Sequence, residues 1–328
     1  MIFRIKNISL IVVAIAFAVQ TNAQWKPAGD KIKTSWAEKI DPTKVWQEYP
    51  RPIMERADWQ NLNGLWEYAV VAAGQTEPAT FDGRILVPFA IESSLSGVQK
   101  RVSDKDAIWY KRSFTVPAGW KSRNILLHFG AVDWKAEVFI NDIKVGVHTG
   151  GYTPFCFNIT PFLKTGEQKL VVKVIDTTDK GFQPRGKQVS DPRGIWYTPV
   201  TGIWQTVWLE PVNERYISGL RAIPDIDNGK ITVDATCEKT TPSDIIEVIV
   251  MEGATVIATG KVSSGQTVDL SIPNAKLWSP ESPFLYDLKI NLYQNGKLVD
   301  KVVSYCAMRK ISSKRDQNGI VRDRKSVV

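Results

Sequence analysis

Cysteine is scarce. The 328 residues hold three, Cys156, Cys237 and Cys306, far apart in sequence. An odd and sparse set does not make a disulfide scaffold, so each is expected to act as a small buried hydrophobe. Histidine is scarcer still. With only His128 and His148, and no Cys-x-x-Cys or His-x-x-x-His spacing, a structural zinc site is not expected, and no cofactor is called for. Helical periodicity is rare, and long apolar runs are nearly absent. The one such run, residues 8–19, is too short to span a bilayer comfortably, and no other stretch approaches a membrane helix. Arg4 and Lys6 precede it and Thr21-Asn22-Ala23 follow, so residues 1–23 are a predicted secretory signal peptide with cleavage before Gln24. The mature chain is then exported, periplasmic or extracellular, with no membrane span.

A basic body is also lacking. The net charge is +8, but Arg4 and Lys6 supply +2 of it. From Arg309 onward seven bases stand against Asp316 and Asp323 and supply +5. The remainder carries +1, so the folded body offers no patch for phosphates and no nucleic-acid partner is expected.

What is present is strand. Residues 136–140 and 143–147 flank Asn141-Asp142, and 288–293 and 297–303 flank a turn with Asn295-Gly296, which predicts two hairpins. Residues 170–175, 245–251 and 267–272 are strand-like as well. Many short strands with Gly, Pro and Asn between them indicate β-sandwiches. A boundary falls near Pro211-Val212-Asn213-Glu214. Tryptophan is dense before it; after it, from Arg215 to about Met308, Trp278 stands alone. That second stretch has the size and rhythm of an immunoglobulin-like sandwich.

Residues 194–210 repeat Gly-Ile-Trp and hold Trp196, Trp204 and Trp208. Residues 204–209 alternate large apolar and polar side chains, which predicts a strand buried on one face. Before it, Trp196 and Tyr197 sit among Gly and Pro in a loop-like context. Trp208 is expected in the core. Trp196 fits either a core position or a surface that stacks on the apolar face of a sugar.

Several segments resemble glycoside hydrolase family 2, which includes β-galactosidases, β-glucuronidases and β-mannosidases. Trp59-Gln60-Asn61-Leu62-Asn63-Gly64-Leu65-Trp66 is similar to the opening of that family's sugar-binding domain, and so is Val87-Pro88-Phe89-Ala90-Ile91-Glu92-Ser93. Trp109-Tyr110-Lys111-Arg112-Ser113-Phe114, Phe129-Gly130-Ala131-Val132-Asp133 and Gly146-Val147-His148-Thr149-Gly150-Gly151-Tyr152 continue the pattern, and residues 194–210 resemble the domain's end. Residues 277–286 look like a late strand of the family's immunoglobulin-like domain, and Ala307-Met308-Arg309-Lys310-Ile311 the entry to its third. The set is specific because it is ordered and covers nearly all of the mature chain.

The resemblance implies an all-β chain: a galactose-binding-like jelly roll over residues 24–212, then an immunoglobulin-like sandwich over 213–308. It also implies a following (β/α)8 barrel that carries two catalytic glutamates. A barrel needs roughly 250 residues. About twenty follow Met308, so the barrel, its glutamates and any catalytic residue are expected to be absent. Residues 309–328 are taken as the start of the barrel plus a foreign tail, because Asp323-Arg324-Lys325-Ser326-Val327-Val328 coincide with the translation of a common DNA-sequencing adapter. The alternative is a natural two-domain product with a basic tail. Asn213-Glu214 has the form of the family's acid/base dipeptide, but it falls at the predicted junction and is taken as linker. Asn158-Ile159-Thr160 has the form of a glycosylation sequon and equally of an edge turn.

The long polar loop after residues 170–175 supplies the candidate sugar contacts. Asp179, Gln183, Arg185 and Lys187 offer hydrogen bonds to hydroxyls or a carboxylate, and Trp196 and Tyr197 offer stacking surfaces. The competing reading is a loop held by ion pairs that docks on the barrel. Arg51 and Arg56, in the N-terminal lead, are expected to be structural. The expected function is the N-terminal part of an exported family 2 glycoside hydrolase, inactive alone, whose partner in the full-length enzyme is a glycan or polysaccharide. Rival readings are a stand-alone carbohydrate-binding protein, or a sandwich-type adhesin or scaffold.

Overall fold

The structure, a computed structural model, describes residues 25–30 and 32–326. The expected signal peptide lies outside the described residues. Twelve strands form the first half: β1 (Gln60–Asn61), β2 (Gly64–Ala72), β3 (Gly83–Val87), β4 (Asp106–Thr115), β5 (Asn124–Phe129), β6 (Val132–Asp133), β7 (Lys135–Ile140), β8 (Ile143–Thr149), β9 (Phe155–Asn158), β10 (Glu167–Ile175), β11 (Gly202–Ile203) and β12 (Val207–Val212). A six-stranded sheet, in order β3-β2-β4-β10-β7-β8, faces a four-stranded one, β1-β12-β5-β9. Period-two alternation fills the space between them. Trp66, Ile108 and Tyr110 from β2 and β4 meet Ile125, Leu127 and Phe129 from β5, all nearly inaccessible. This is the jelly-roll sandwich.

Seven strands form the second half: β13 (Tyr216–Asp225), β14 (Lys230–Glu238), β15 (Ile245–Glu252), β16 (Thr255–Ser263), β17 (Val268–Ser271), β18 (Tyr286–Gln294) and β19 (Lys297–Cys306). Their orders, β13-β14-β17 and β16-β15-β18-β19, give the three-plus-four packing of an immunoglobulin-like sandwich. Its core includes Ile231, Val248, Leu288, Ile290 and Val302. A hairpin of β20 (Lys310–Arg315) and β21 (Val321–Ser326) follows. The described residues contain short 3₁₀ turns but no α-helix, so they hold no (β/α)8 barrel.

Both predicted hairpins form. Asn141 and Asp142 have φ of 50° and 71°, and Asn295 and Gly296 have 49° and 75°, the paired positive φ of a tight primed turn. Asn158 Oδ1 accepts from the Thr160 backbone N–H (3.0 Å) and hydroxyl (2.6 Å), a side-chain-closed turn after β9. Asn213 and Glu214 fall between β12 and β13.

Two expectations need correction. Residues 204–209 are not one half-buried strand. Gly202–Ile203 pair with β6, the chain breaks at 204–206, and β12 is buried on both faces, including Trp208. β12 lies between β1 and β5, and the N-terminal lead covers its outer face. Cys156 is not buried. Phe155 and Phe157 turn into the core from β9, so alternation sends Cys156 outward. Cys306 is buried as expected, and Cys237 is intermediate.

The lead joins the two sandwiches. Glu55 exchanges backbone hydrogen bonds with Val303 of β19 (2.8 and 3.0 Å), and the Ser304 hydroxyl donates to Ile53 O (2.7 Å). Arg56, 7% exposed, donates to Ile217 O (2.6 Å) and Asp300 Oδ2 (2.7 Å), and lies 3.4 Å from Glu210 Oε2 of β12. Arg51 lies 3.1 Å from the same Glu210 oxygen. Both arginines are structural.

Removing one partner of a buried ion pair costs roughly 3–5 kcal/mol, because the charge left behind has no solvent. Arg56→Met strands Asp300 on the second sandwich and removes one of the two arginines that answer Glu210 on the first. We expect that loss of stability, with thermal unfolding splitting into two calorimetric transitions. A single transition at the parental temperature would contradict it.

Candidate functional site

The loop of residues 176–201 leaves β10 and returns through β11. Its stem is built on acids. Asp176, 3% exposed, ends the β10 run, and its Oδ1 accepts from Thr178 N (2.7 Å) and Gln183 Nε2 (2.6 Å). Its Oδ2 accepts from the hydroxyls of Thr178 (3.1 Å) and Thr201 (2.9 Å), tying the two ends of the loop together. Glu92 Oε2 accepts from Thr201 N (2.9 Å). Asp133, at the end of β6, completes the group.

Glu92 is 8% exposed and Asp133 2%, and Glu92 Oε1 and Asp133 Oδ1 have no hydrogen-bond partner. No salt bridge among the described residues reaches any of the three acids. Burial, reinforced by the Asp176 charge, pushes both Glu92 and Asp133 up to about 7. Among the described residues no group of His, Cys, Asp and Glu is placed to hold a metal ion.

Gln188 braces the far side. Its Oε1 accepts from Val200 N (2.5 Å) and its Nε2 donates to Tyr152 OH (3.1 Å). Tyr197 N donates to Lys187 O (2.8 Å) and Val189 N to Tyr197 O (3.1 Å), so two strands of loop run side by side. This register pairs cations with rings. The Arg185 guanidinium lies 5.6 Å from the Trp196 ring centre, and Lys187 Nζ 5.9 Å from that of Tyr197. Trp196 is 41% exposed and Tyr197 63%.

Of the six predicted residues, four thus come together as two cation–aromatic couples on the loop. The other two lie in the scaffold. Gln183 is engaged at both ends, donating to Asp176 and accepting from the Thr177 hydroxyl (2.8 Å). Asp179 accepts from the Ser190 hydroxyl and lies 3.9 Å from both Lys180 and Arg185. Sequence reasoning missed Tyr152, Gln188 and the buried acids. The available signal was position: Asp133 ends one strand and Asp176 directly follows another, where a charge is out of place.

The sign of the pH effect follows from the raised values. Glu92 and Asp133 bind protons in the folded state at pH values where the unfolded chain has lost them. Their contribution is therefore fully present below about pH 4 and is lost as pH rises to about 7, on the order of 3 kcal/mol apiece. Asp133→Asn keeps the shape and removes one titration. We expect the fall in melting temperature between pH 5 and 8 to shrink by about half relative to the parent. An unchanged pH profile would refute the assignment.

Residues 87–210 match the sugar-binding domain of the glycosyl hydrolases family 2, and residues 215–309 match a second domain of the glycosyl hydrolases family 2. Curated relatives include a β-galactosidase of Thermoanaerobacter pseudethanolicus, 28% identical over 63% of this chain and 29% of its own length. A β-glucuronidase of Bacteroides fragilis is 30% identical over 61% of this chain and 31% of its own. The chain thus spans well under half of either. Among solved structures, a Lactobacillus rhamnosus β-glucuronidase superposes with a TM-score of 0.65 at 24% identity, covering 82% of this chain and 47% of that one, a likeness of fold. Two family domains in succession, on the two sandwiches that carry the motifs, place this chain in glycosyl hydrolase family 2.

Proposed function

We propose that residues 24–212 and 213–308 are the first two domains of an exported family 2 glycoside hydrolase that removes terminal sugars from polysaccharides or glycans. The relatives' printed activities, β-galactosidase and β-glucuronidase, support this substrate class. The export signal rests on the composition of residues 1–23. In this reading the chain supplies substrate contacts and not the chemistry. Retaining glycosidases need two carboxyl groups about 5–5.5 Å apart across the scissile bond. Of the buried acids under the loop, Asp176 and Glu92 hold its stem.

The observation that carries the reading is the exposed pair of couples, Arg185 with Trp196 and Lys187 with Tyr197. An aromatic face and an adjacent cation together suit a sugar ring that bears a carboxylate. Asp179 and Gln183 hold the loop in the shape that presents them.

Calorimetric titration of the purified chain with glucuronate and with galactose tests this. Glucuronate is expected to bind more tightly, and Arg185→Ala to weaken it about tenfold, the loss of one charge-assisted hydrogen bond of roughly 1.5 kcal/mol. Equal binding by parent and variant removes the loop from the site. The chain alone is expected to release no phenol from aryl glycosides. Multiple turnovers that survive repeated purification would overturn the non-catalytic assignment.

A further inference from the structure

A second cleft lies where the two sandwiches meet, on the side where Arg56 and Glu210 join them. Its volume is about 240 Å³. Drug-sized sites run about 300–1,000 Å³, so an occupant here is a single ring or a short chain. The floor is His128 stacked on Trp208, ring centres 4.7 Å apart and nearly parallel. Burial lowers the His128 pKa, so the ring is neutral near pH 7. Arg51 from the lead, Cys156 from β9, and Tyr216 and Glu238 from β13 and β14 form the walls.

The charges at the floor cancel. Arg51 and Arg56 are answered by Glu210 and Asp300. Glu238, exposed and in no ion pair among the described residues, is the one charge left over. It faces the Tyr216 phenol, which burial and the Glu238 charge push up to about 12, so the phenol stays a donor. The Arg51 side chain, a quarter exposed at the wall, adds N–H donors. The cleft therefore presents N–H and O–H donors and one free carboxylate over an aromatic floor, with a residual negative charge that repels anions.

We propose that this interdomain cleft binds one neutral monosaccharide ring, with hydroxyls donating to Glu238 and accepting from Arg51 and Tyr216. It is separate from the loop at residues 176–201, and its charge preference is the opposite. A ring bound here touches the lead and both sandwiches at once, so it also stiffens their junction.

Cys156 at the mouth is a built-in reporter. A ligand at about ten times its Kd leaves roughly a tenth of the cleft open, so alkylation of Cys156 slows about tenfold. We would follow iodoacetamide labelling of Cys156 in the intact chain, peptide by peptide, with galactose, glucose, mannose, glucuronate or glycine present. At least one neutral hexose is expected to protect Cys156, whereas glucuronate and glycine do not. Glu238→Gln, an exposed and mild change, is expected to bring the ratio of rates with and without hexose to one. Trp196→Ala leaves that ratio intact whether or not the loop binds sugar. Three results would overturn the proposal: no hexose protects, glucuronate or glycine protects as well, or protection survives Glu238→Gln.

Discussion

The Glu210 carboxylate has no solvent-accessible side-chain surface, and the relation between the two sandwiches depends on how it is compensated. Burying a lone carboxylate costs several kcal/mol, so β12 can carry this one only where donors converge. They arrive from three places: Tyr49 and Arg51 of the lead, Arg56 beside β19, and Trp208 on the same strand (3.0 Å), with the His128 ring nitrogen 3.3 Å away. Burial works to raise the Glu210 pKa, but the contacts with His128, Arg51 and Tyr49 outweigh it and hold the group well below the carboxylate range. Such a network adds little net stability over apolar packing. It fixes register, because Arg56 must also satisfy Asp300 and Ile217 O on the second sandwich. A sliding lead or a rotated second sandwich would leave a bare charge.

The acids beneath the loop show the other solution to the same problem. Glu92, Asp133 and Asp176 are buried too, but no guanidinium reaches them, and what answers Glu92 and Asp176 is hydroxyls, an amide and backbone N–H groups. Neutral donors offset only part of the cost of burying a charge, so two of the three groups keep their protons to higher pH. The junction between the sandwiches is thus insensitive to pH near neutrality, and the stem of the aromatic loop is sensitive to it. The two regions therefore differ in their response to pH although one fold builds both.

Much of this was legible in the sequence. Hairpins at Asn141-Asp142 and Asn295-Gly296 follow from local turn chemistry, and the all-β class follows from strand rhythm. The errors arose where a strand's surroundings matter more than its own pattern. Residues 204–209 alternate, yet β12 is covered on both sides by elements distant in sequence. Cys156 is apolar enough for a core, yet its two Phe neighbours claim the inward direction. In the candidate site, loop composition pointed to Arg185, Lys187, Trp196 and Tyr197, which the structure brings together. It also pointed to Gln183 and Asp179 because they are polar. Which polar groups stay free depends on partners that composition does not reveal: Gln183 meets Asp176 and Thr177, and Asp179 meets Ser190.

The couples on the loop also constrain what can bind there in the proposed reading. A cation over each ring occupies one face of Trp196 and of Tyr197. A sugar that stacks must use the opposite face or draw the cation aside. Cation–aromatic contacts at exposed sites are worth about 0.5–1 kcal/mol, less than a charge-assisted hydrogen bond to a carboxylate at about 1.5–3. A carboxylated ring can therefore take Arg185 from Trp196 with a net gain and stack on the face it vacates. A neutral ring gains less from the exchange and must leave the cation in place. The same aromatic surface thus discriminates by charge although the rings themselves carry none. The interdomain cleft, where Glu238 is the unbalanced charge, discriminates in the opposite sense.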